Sequence, residues 1–316
     1  MPSCRHVLLA PSWDQHADRL NAGLWAAGCQ VQWLRTDRPL PDLAEIASLP
    51  DVRSAVFRRA QADPHGDPGI DAYIQAEVRD YSFSLGELTN WEWFPASPLR
   101  TYRAGLKPLQ LQMAREAGLD APRTAVGSAH ESIQRLGKEI VSKPLRTQRV
   151  AVNGLSRWLG TSVLLPGDWS RSNELAPSIF QERIAVASEV RIVIIDEFVM
   201  GARADLNANT LDHADIKDLT GVKYSVLMEV PDIVSSGLRT MMAALGVRLC
   251  SADFLVDAAD RWLFIDLNPN GQWLFVQEDT GVNLLTPVID ALHTRRKSST
   301  AAMPLSGDFA RSLSRG

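Results

Sequence analysis

Asp253, Asp266 and Asn268 are the residues whose types and spacing could build a metal site in this chain. Arg261 to Leu267 is short and apolar and runs into Asn268-Pro-Asn-Gly271, a turn signal, so it reads as a strand. Residues two apart on a strand share a face, which points Asp266 and Asn268 the same way. Ser251 to Asp257 reads as a second strand, and Ala258-Ala-Asp260 separates the two. In a hairpin with an even-length loop, Asp253 falls directly opposite Asp266. Facing carboxylates repel and weaken a ladder, so something positive belongs between them. Two carboxylates and a carboxamide oxygen form a hard, all-oxygen donor set. That set suits Mg²⁺, which takes few protein ligands and completes its shell with water and phosphate oxygens. The plain alternative is a solvated hairpin end with Asn-Pro-Asn-Gly as its turn, but such a turn has no use for Asp253. The argument depends on register, because a slip by one residue sends Asp253 to the other face.

Further charged residues sit at element boundaries along the chain. Lys107 and Lys143 each stand near the end of a segment, Glu182 and Glu189 flank a connection between two strands, and Arg191 and Arg203 lie on the paired strands that follow. Two lysines, two arginines and a Mg²⁺ site match what is needed to hold a triphosphate and neutralise charge developing on it. Read singly, each is an ordinary surface charge. Their order along the chain is what connects them.

The elements that must position these residues follow from pattern. Arg5 to Ala10, Gln30 to Leu34 and Asp51 to Arg58 read as strands, with a helix from Asp14 to Ala27 closed by Gly28, a β-α-β opening. The first turn, Pro11-Ser12-Trp13, lacks the glycine-rich fingerprint of dinucleotide binders. Ala62 to Gly69 is a loop, Ile70 to Leu88 a helix, and Asn90 to Pro98 a tryptophan-rich loop whose Trp91 and Trp93 are expected to plug a domain seam. A second unit begins near Leu99, with a helix from Lys107 to about Gly118 and strands leading out of Thr124 and over Glu139 to Lys143. Arg146 to Gly154 reads as a polar, mobile segment. Ser178 to Ile184, Glu189 to Ile195 and Phe198 to Ala204 read as strands, Asn207 to Val222 as irregular, and Ile233 to Leu245 as a helix capped by Gly246. In the irregular stretch His213 stands without a second histidine spaced to make a metal site. Leu284 to Leu292 reads as a closing helix, and the chain from Thr294 as a disordered tail.

Bulk properties exclude several classes. A formal net charge of −4 gives no footing for nucleic acid or an anionic membrane. Apolar runs such as Ile192 to Ile195 are too short to span a bilayer, and His6 to Ala10 is too short for a signal-peptide core. Cys4, Cys29 and Cys250 are odd in number and widely spaced, with no zinc-like pairing, which points to reduced structural thiols and a cytoplasmic protein.

The strings that carry these residues resemble the ATP-grasp superfamily, and within it the microviridin-type ligases, the graspetide synthetases. The resemblance spans roughly Val52 to Leu292. It rests on Ser54-Ala-Val-Phe-Arg-Arg59, Glu77 with the Trp91 to Pro98 loop, Lys107-Pro-Leu-Gln-Leu111, Ala117-Gly-Leu119 and Pro122-Arg-Thr124. It continues in Phe180-Gln-Glu182, Glu189-Val-Arg191, Ala252-Asp-Phe254 and Asp266 to Trp273, the most specific string. The fold implied is α+β. An N-terminal α/β (pre-ATP-grasp) domain over 1–98 precedes a central subdomain over 99–184 and a C-terminal subdomain over 185–294 that carries the Mg²⁺ site; 295–316 is the tail. The resemblance also implies roles. Lys107 and Lys143 would contact the ATP phosphates, Glu182 and the backbone near Ile184 the adenine, and Glu189 the ribose. Arg191, with Arg203, would face the transferred phosphate, while Asp253, Asp266 and Asn268 would hold Mg²⁺. The implied activity is ADP-forming: an Asp or Glu side chain of a ribosomal precursor peptide (leader plus core) is activated as an acylphosphate and joined to a Thr, Ser or Lys side chain of the same peptide. A homodimer remains compatible with this. Two other readings stay open, a ligase for free amino acids or peptide termini and a non-catalytic ATP-binding regulator. Where this superfamily carries a glycine-rich cover over the phosphates, Arg146 to Gly154 offers only Gly154.

Overall fold

The computed structural model describes residues 4–128, 133–137, 139–146, 148–152, 155–165, 175–206 and 222–293. Most of the irregular stretch read over 207–222, with His213, lies outside these residues, as do Gly154 and the tail from 294.

The first sheet is parallel, in the order β2-β1-β3-β4. It comprises β1 (Arg5–Ala10), α1 (Gln15–Ala26), β2 (Gln30–Arg35), α2 (Leu43–Ala47), β3 (Val52–Phe57), α3 (Pro68–Leu88) and β4 (Glu92–Phe94). Asp14 starts α1 by accepting a hydrogen bond from the backbone N–H of Ala17, and Gly28 takes the left-handed conformation (φ +78°) that ends it. The tryptophan-rich loop is not a loop throughout, since Glu92 to Phe94 pairs with β3 as the edge strand. Nor do its tryptophans plug a seam: Trp91 and Trp93 pack together at 5.8 Å between ring centres and join the first unit's own core, with Val7, Leu9 and Leu85.

After α4 (Pro98–Ala104) and α5 (Lys107–Glu116) comes an antiparallel sheet in the order β5-β10-β6-β9. Its strands are β5 (Thr124–Gly127), β6 (Ile140–Pro144), β9 (Ser162–Leu164) and β10 (Ser178–Glu182), with β7 (Gln148–Val152) and β8 (Leu155–Leu159) pairing separately as a hairpin. The segment read as polar and mobile therefore contains a strand. Val150-Ala-Val152 is the sole strand-like stretch in it, too short beside Arg146, Gln148 and Arg149 to stand out by pattern.

The third sheet, also antiparallel, is ordered β13-β12-β11-β14-β15. It consists of β11 (Val186–Ile195), β12 (Phe198–Asp205), β13 (Ser225–Leu227), β14 (Leu249–Asp257) and β15 (Trp262–Asn268), followed or interleaved by α6 (Asp232–Leu245), α7 (Leu274–Thr280) and α8 (Leu285–His293). β11 is central and covered on both faces, which is why Glu189 to Ile195 reads as a nearly unbroken apolar run rather than an alternation. Val190, Ile192 and Ile194 pack under α5 and α6. Val193 and Ile195 pack in a second cluster with Leu8, Leu20, Val56, Trp273 and Val288, so the first and third sheets share one core. Arg248 reinforces that joint through ion pairs of 2.6 Å to Glu92 and 2.6 Å to Asp196 and a hydrogen bond to the carbonyl of Ala291. Among the described residues, no helix is long and apolar enough to cross a membrane.

Candidate nucleotide and metal site

The hairpin of β14 and β15 makes the pairing expected from sequence, though not by an even-length loop: nearer the turn Val256 pairs with Trp262 and Phe254 with Phe264, an odd register that a bulge corrects. Asp253 lies opposite Asp266 and Ser251 opposite Asn268, and the ladder shifts between Asp253 and Phe254, just beyond the carboxylate pair. The repulsion is relieved by a cation on either side rather than one between. Arg191, opposite Asp253 on β11, brings Nε to 3.0 Å from Asp253 Oδ1, and Lys107 at the first turn of α5 brings Nζ to 3.8 Å from Asp266 Oδ2. β15 is an edge strand, and Gln110 of α5 closes that edge. Its amide donates to the carbonyl of Leu267 (2.6 Å) and its oxygen accepts the Leu267 N–H (3.0 Å). One helix thus fixes the strand and delivers the lysine.

The donor set fits Mg²⁺. Asp253, Asp266 and Asn268 share one face and offer oxygen only. Beside them, Ser251 Oγ and Asn270 Oδ1 are buried without a hydrogen-bond partner. Asn268 Oδ1 accepts from the backbone N–H of Asn270 at 3.1 Å, which aims the carboxamide and leaves a lone pair for a cation. Gly271 in this turn has φ +51°, and a Cβ there would stand 2.6 Å from Leu249 Cδ2, so both backbone and space require glycine.

The first sheet holds this turn in place. Arg58, just past β3, is buried and donates from Nη1 to the carbonyls of Asn270 and Gly271, the latter at 3.1 Å. Burial pulls the pKa of Arg58 down to about 10, so it stays charged at neutral pH. Asp14 balances it, with Oδ1 3.5 Å from Arg58 Nε and Oδ2 2.9 Å from Arg59 Nε. His16 Nε2 accepts from the backbone N–H groups of Trp273 (3.1 Å) and Leu274 (3.3 Å). Neither Asp14 nor His16 was singled out from the sequence, since both lie over 240 residues from the turn they hold.

Burial, then the Arg58 charge, lowers the His16 pKa from 6.5 to about 3. The unfolded chain therefore takes up this proton at a higher pH than the folded protein does. The associated stability is fully present above about pH 6.5 and is lost as pH falls towards about 3. His16→Gln keeps an acceptor oxygen without a titrating ring. Thermal melts between about pH 7 and about pH 4 should show the wild type losing more stability than this variant, and parallel curves would remove His16 from the acid response.

The remaining sequence-derived residues fall in two places. Glu189 is on β11 two residues before Arg191, hence on its face, and accepts a 2.8 Å hydrogen bond from the Tyr224 hydroxyl. Burial and this carboxylate push the phenol pKa up. Lys143 lies on β6 of the second sheet opposite Ile179, Glu182 ends β10, and Ile184 is in the link from β10 to β11. Glu182 is clasped by Arg123, through the backbone N–H at 2.9 Å and Nε at 2.6 Å. These bonds outweigh burial and hold the carboxyl below its usual range. Arg203 does not join Arg191. It pairs across the ladder with Val190, which puts it on the opposite face of the sheet, and its Nε is 2.7 Å from Asp205. Reading it as a partner of Arg191 on the transferred phosphate counted chain order without strand parity.

Next to the carboxylates lies a cleft of about 610 Å³ whose walls include Arg59, Arg79, Tyr102, Lys107, Arg146 and Asn268. Arg146 stacks over the Tyr102 ring at 3.9 Å. Four cations and Asp266 line this cleft, an arrangement that suits an anion bound through a divalent metal.

An antiparallel central sheet and a larger antiparallel sheet bearing the acidic-amide donor set, behind a parallel N-terminal unit, define the ATP-grasp fold. The solved structures it resembles include an ATP-grasp ligase of Chryseobacterium gregarium associated with ribosomally made, modified peptides, in complex with ADP and a leader and core peptide. That likeness has a TM-score of 0.77 at 19% identity and covers 94% of this chain and 99% of that one. Macrocyclase MdnC of Microcystis aeruginosa MRC, bound with precursor peptide MdnA, matches with a TM-score of 0.71 at 19% identity over 90% of this chain and 97% of that one. Macrocyclase MdnB of the same organism matches with a TM-score of 0.71 at 20% identity over 92% and 99%. No family model matches the chain, and no curated protein matches it by sequence.

Proposed function

We propose that this protein is an ATP-dependent, ADP-forming ligase that crosslinks side chains of a ribosomal precursor peptide as esters or amides. The observation that carries the reading is the convergence of Asp253, Asp266 and Asn268 on one sheet face with Arg191 and Lys107 against them. The solved complexes of similar folds with ADP and with leader and core peptides support the choice of substrates. The units over 1–98, 99–184 and 185–294 are taken as its working domains, with the nucleotide between the second and third. The cytoplasm is taken as its compartment.

In this reading Asp253, Asp266 and Asn268 hold Mg²⁺, which supplies charge neutralisation on the triphosphate. Lys107 and Lys143 bind phosphate oxygens, the link near Ile184 and Glu182 receive the adenine, and Glu189 orients the ribose. Arg191 faces the transferred group and offsets charge there as it moves. An oxygen of the substrate carboxylate attacks the γ-phosphorus, the bond to the bridging oxygen breaks, and ADP leaves. A hydroxyl or amine of the same peptide then attacks the acyl carbon, phosphate departs, and the nucleophile's proton passes to solvent. Arg203, on the far face, takes no part.

The test is nucleotide stoichiometry read beside peptide mass. Each bond should consume one ATP, release ADP and phosphate, and lower the peptide mass by one water. AMP and pyrophosphate as products, or a peptide that gains an amino-acid mass, would sink the crosslinking reading, because cations gathered for the γ-phosphate do not serve attack at the α-phosphate.

A further inference from the structure

Far from the cleft, four side chains that could ligate a metal meet at the base of the first sheet. Cys4 directly precedes β1, His6 lies two residues on and so on the same face, Cys29 directly precedes β2, and His293 ends α8. Their ligand atoms all lie within 4.8 Å of one another. His293 Nε2 is 3.3 Å from Cys29 Sγ and 3.9 Å from Cys4 Sγ, and the rings of His6 and His293 stand edge to face at 5.5 Å. A tetrahedral zinc site with bonds of about 2.0–2.3 Å needs ligand atoms about 3.3–3.8 Å apart, so small side-chain movements close it. No local spacing pointed to this cluster, because His293 lies far along the chain from Cys4, His6 and Cys29.

The two sulfurs are joined as a disulfide in the structure, with Cα atoms 5.0 Å apart. A disulfide accounts for the cysteines and leaves the histidines unexplained. His6 is fully buried, and its Nε2 has no hydrogen-bond partner, an arrangement that burial makes costly. Its Nδ1 is 2.8 Å from Ser54 Oγ on β3. A proton on Nδ1 donated to Ser54 is the outer hydrogen bond that a zinc-bound histidine ordinarily makes, and it leaves the Nε2 lone pair available to a metal.

We propose that the reduced protein binds one Zn²⁺ through Cys4, His6, Cys29 and His293, a structural Cys2His2 centre that fastens α8 to the first sheet. A thiol reductant of the surrounding compartment takes the disulfide to two thiols and is itself oxidised to a disulfide. Zn²⁺ then replaces the two thiol protons, which pass to solvent, as two Zn–S and two Zn–N bonds form. Two thiolates cancel the metal's charge, so the buried centre is neutral. The ligand set leaves no open position, which marks it as structural rather than catalytic.

The test begins with the full chain purified in a thiol reductant without chelator. Elemental analysis should find about one zinc per chain, and exchange with Co²⁺ should give thiolate-to-cobalt charge transfer together with tetrahedral d–d absorption. Cys29→Ser and His6→Gln should each lower the metal content at least about tenfold, and a chelator should lower the melting temperature of the wild type but not of Cys29→Ser. Metal content and the cobalt spectrum are read on the wild type, so a variant that fails to fold leaves the test intact. Metal-free wild-type protein with both thiols reactive, a cobalt spectrum lacking thiolate character, or a Cys4–Cys29 disulfide that survives reductant in the presence of zinc would each overturn the proposal.

Discussion

Replacing Asp266 by Asn should lower ligation about 10²–10³-fold at saturating ATP while the fold survives, the scale expected when one group that offsets transition-state charge is removed. The substitution keeps the shape of the side chain and removes its charge. Asp266 is partly exposed, so no buried cation is stranded, and Lys107 at 3.8 Å stays accessible to water. The loss should be larger in kcat than in the ATP concentration needed for half-maximal rate, because the missing charge acts on the group in flight more than on the bound nucleotide. It should also soften when Mn²⁺ replaces Mg²⁺, since Mn²⁺ binds nitrogen and oxygen sites more tightly. Unchanged turnover in Mg²⁺ removes Asp266 from the metal site. An unfolded variant would instead assign it a structural role, and a melting curve separates the two.

That such a prediction can be made at one residue reflects how much a strand pattern records. Arg261 to Leu267 and Ser251 to Asp257 announced themselves by composition, but loop parity alone would have set Asp253 against Ile265, and it is the bulge beyond Phe254 that brings Asp253 opposite Asp266. The same parity, applied to the hairpin of β11 and β12, would have excluded Arg203, because its partner Val190 lies one residue from Arg191. Short helices were missed for a different reason, α2 with five residues among them. α4 and α7 have only seven residues each and are packed by their neighbours, so helical periodicity had no room to show. The Cys4, His6, Cys29 and His293 cluster was invisible because spacing rules for metal sites assume ligands close in sequence. Here the ligands are brought together by a parallel sheet and a helix that packs against α1 at the end of the chain.

Arg58 was legible only as part of a resembling string, and the structure gives it a use. The turn that carries Asn268 has no regular hydrogen-bond ladder beyond β15, and its carbonyls at Asn270 and Gly271 converge on one guanidinium from another sheet. Arg58→Gln keeps an amide donor but loses the charge and the reach that bring Nη1 to both carbonyls. Displacement of a positioning element by about 1 Å can cost about 10²-fold in rate, and that is the loss expected here, with more Mg²⁺ needed for half-maximal ligation. Stability should fall as well, since removing one partner of a buried ion pair costs about 3–5 kcal/mol, reduced here because Arg59 still meets Asp14 at 2.9 Å. Asp14→Asn distinguishes the two effects. It preserves the cap on α1 and the hydrogen bonds from Arg58 to the turn, while weakening the ion pair. That variant should melt earlier than wild type yet ligate at nearly the wild-type rate below its melting point. If both variants lose stability and activity in proportion, Arg58 serves the fold alone. If only Arg58→Gln shifts the Mg²⁺ requirement, the first sheet is what sets the position of the metal ligands on the third.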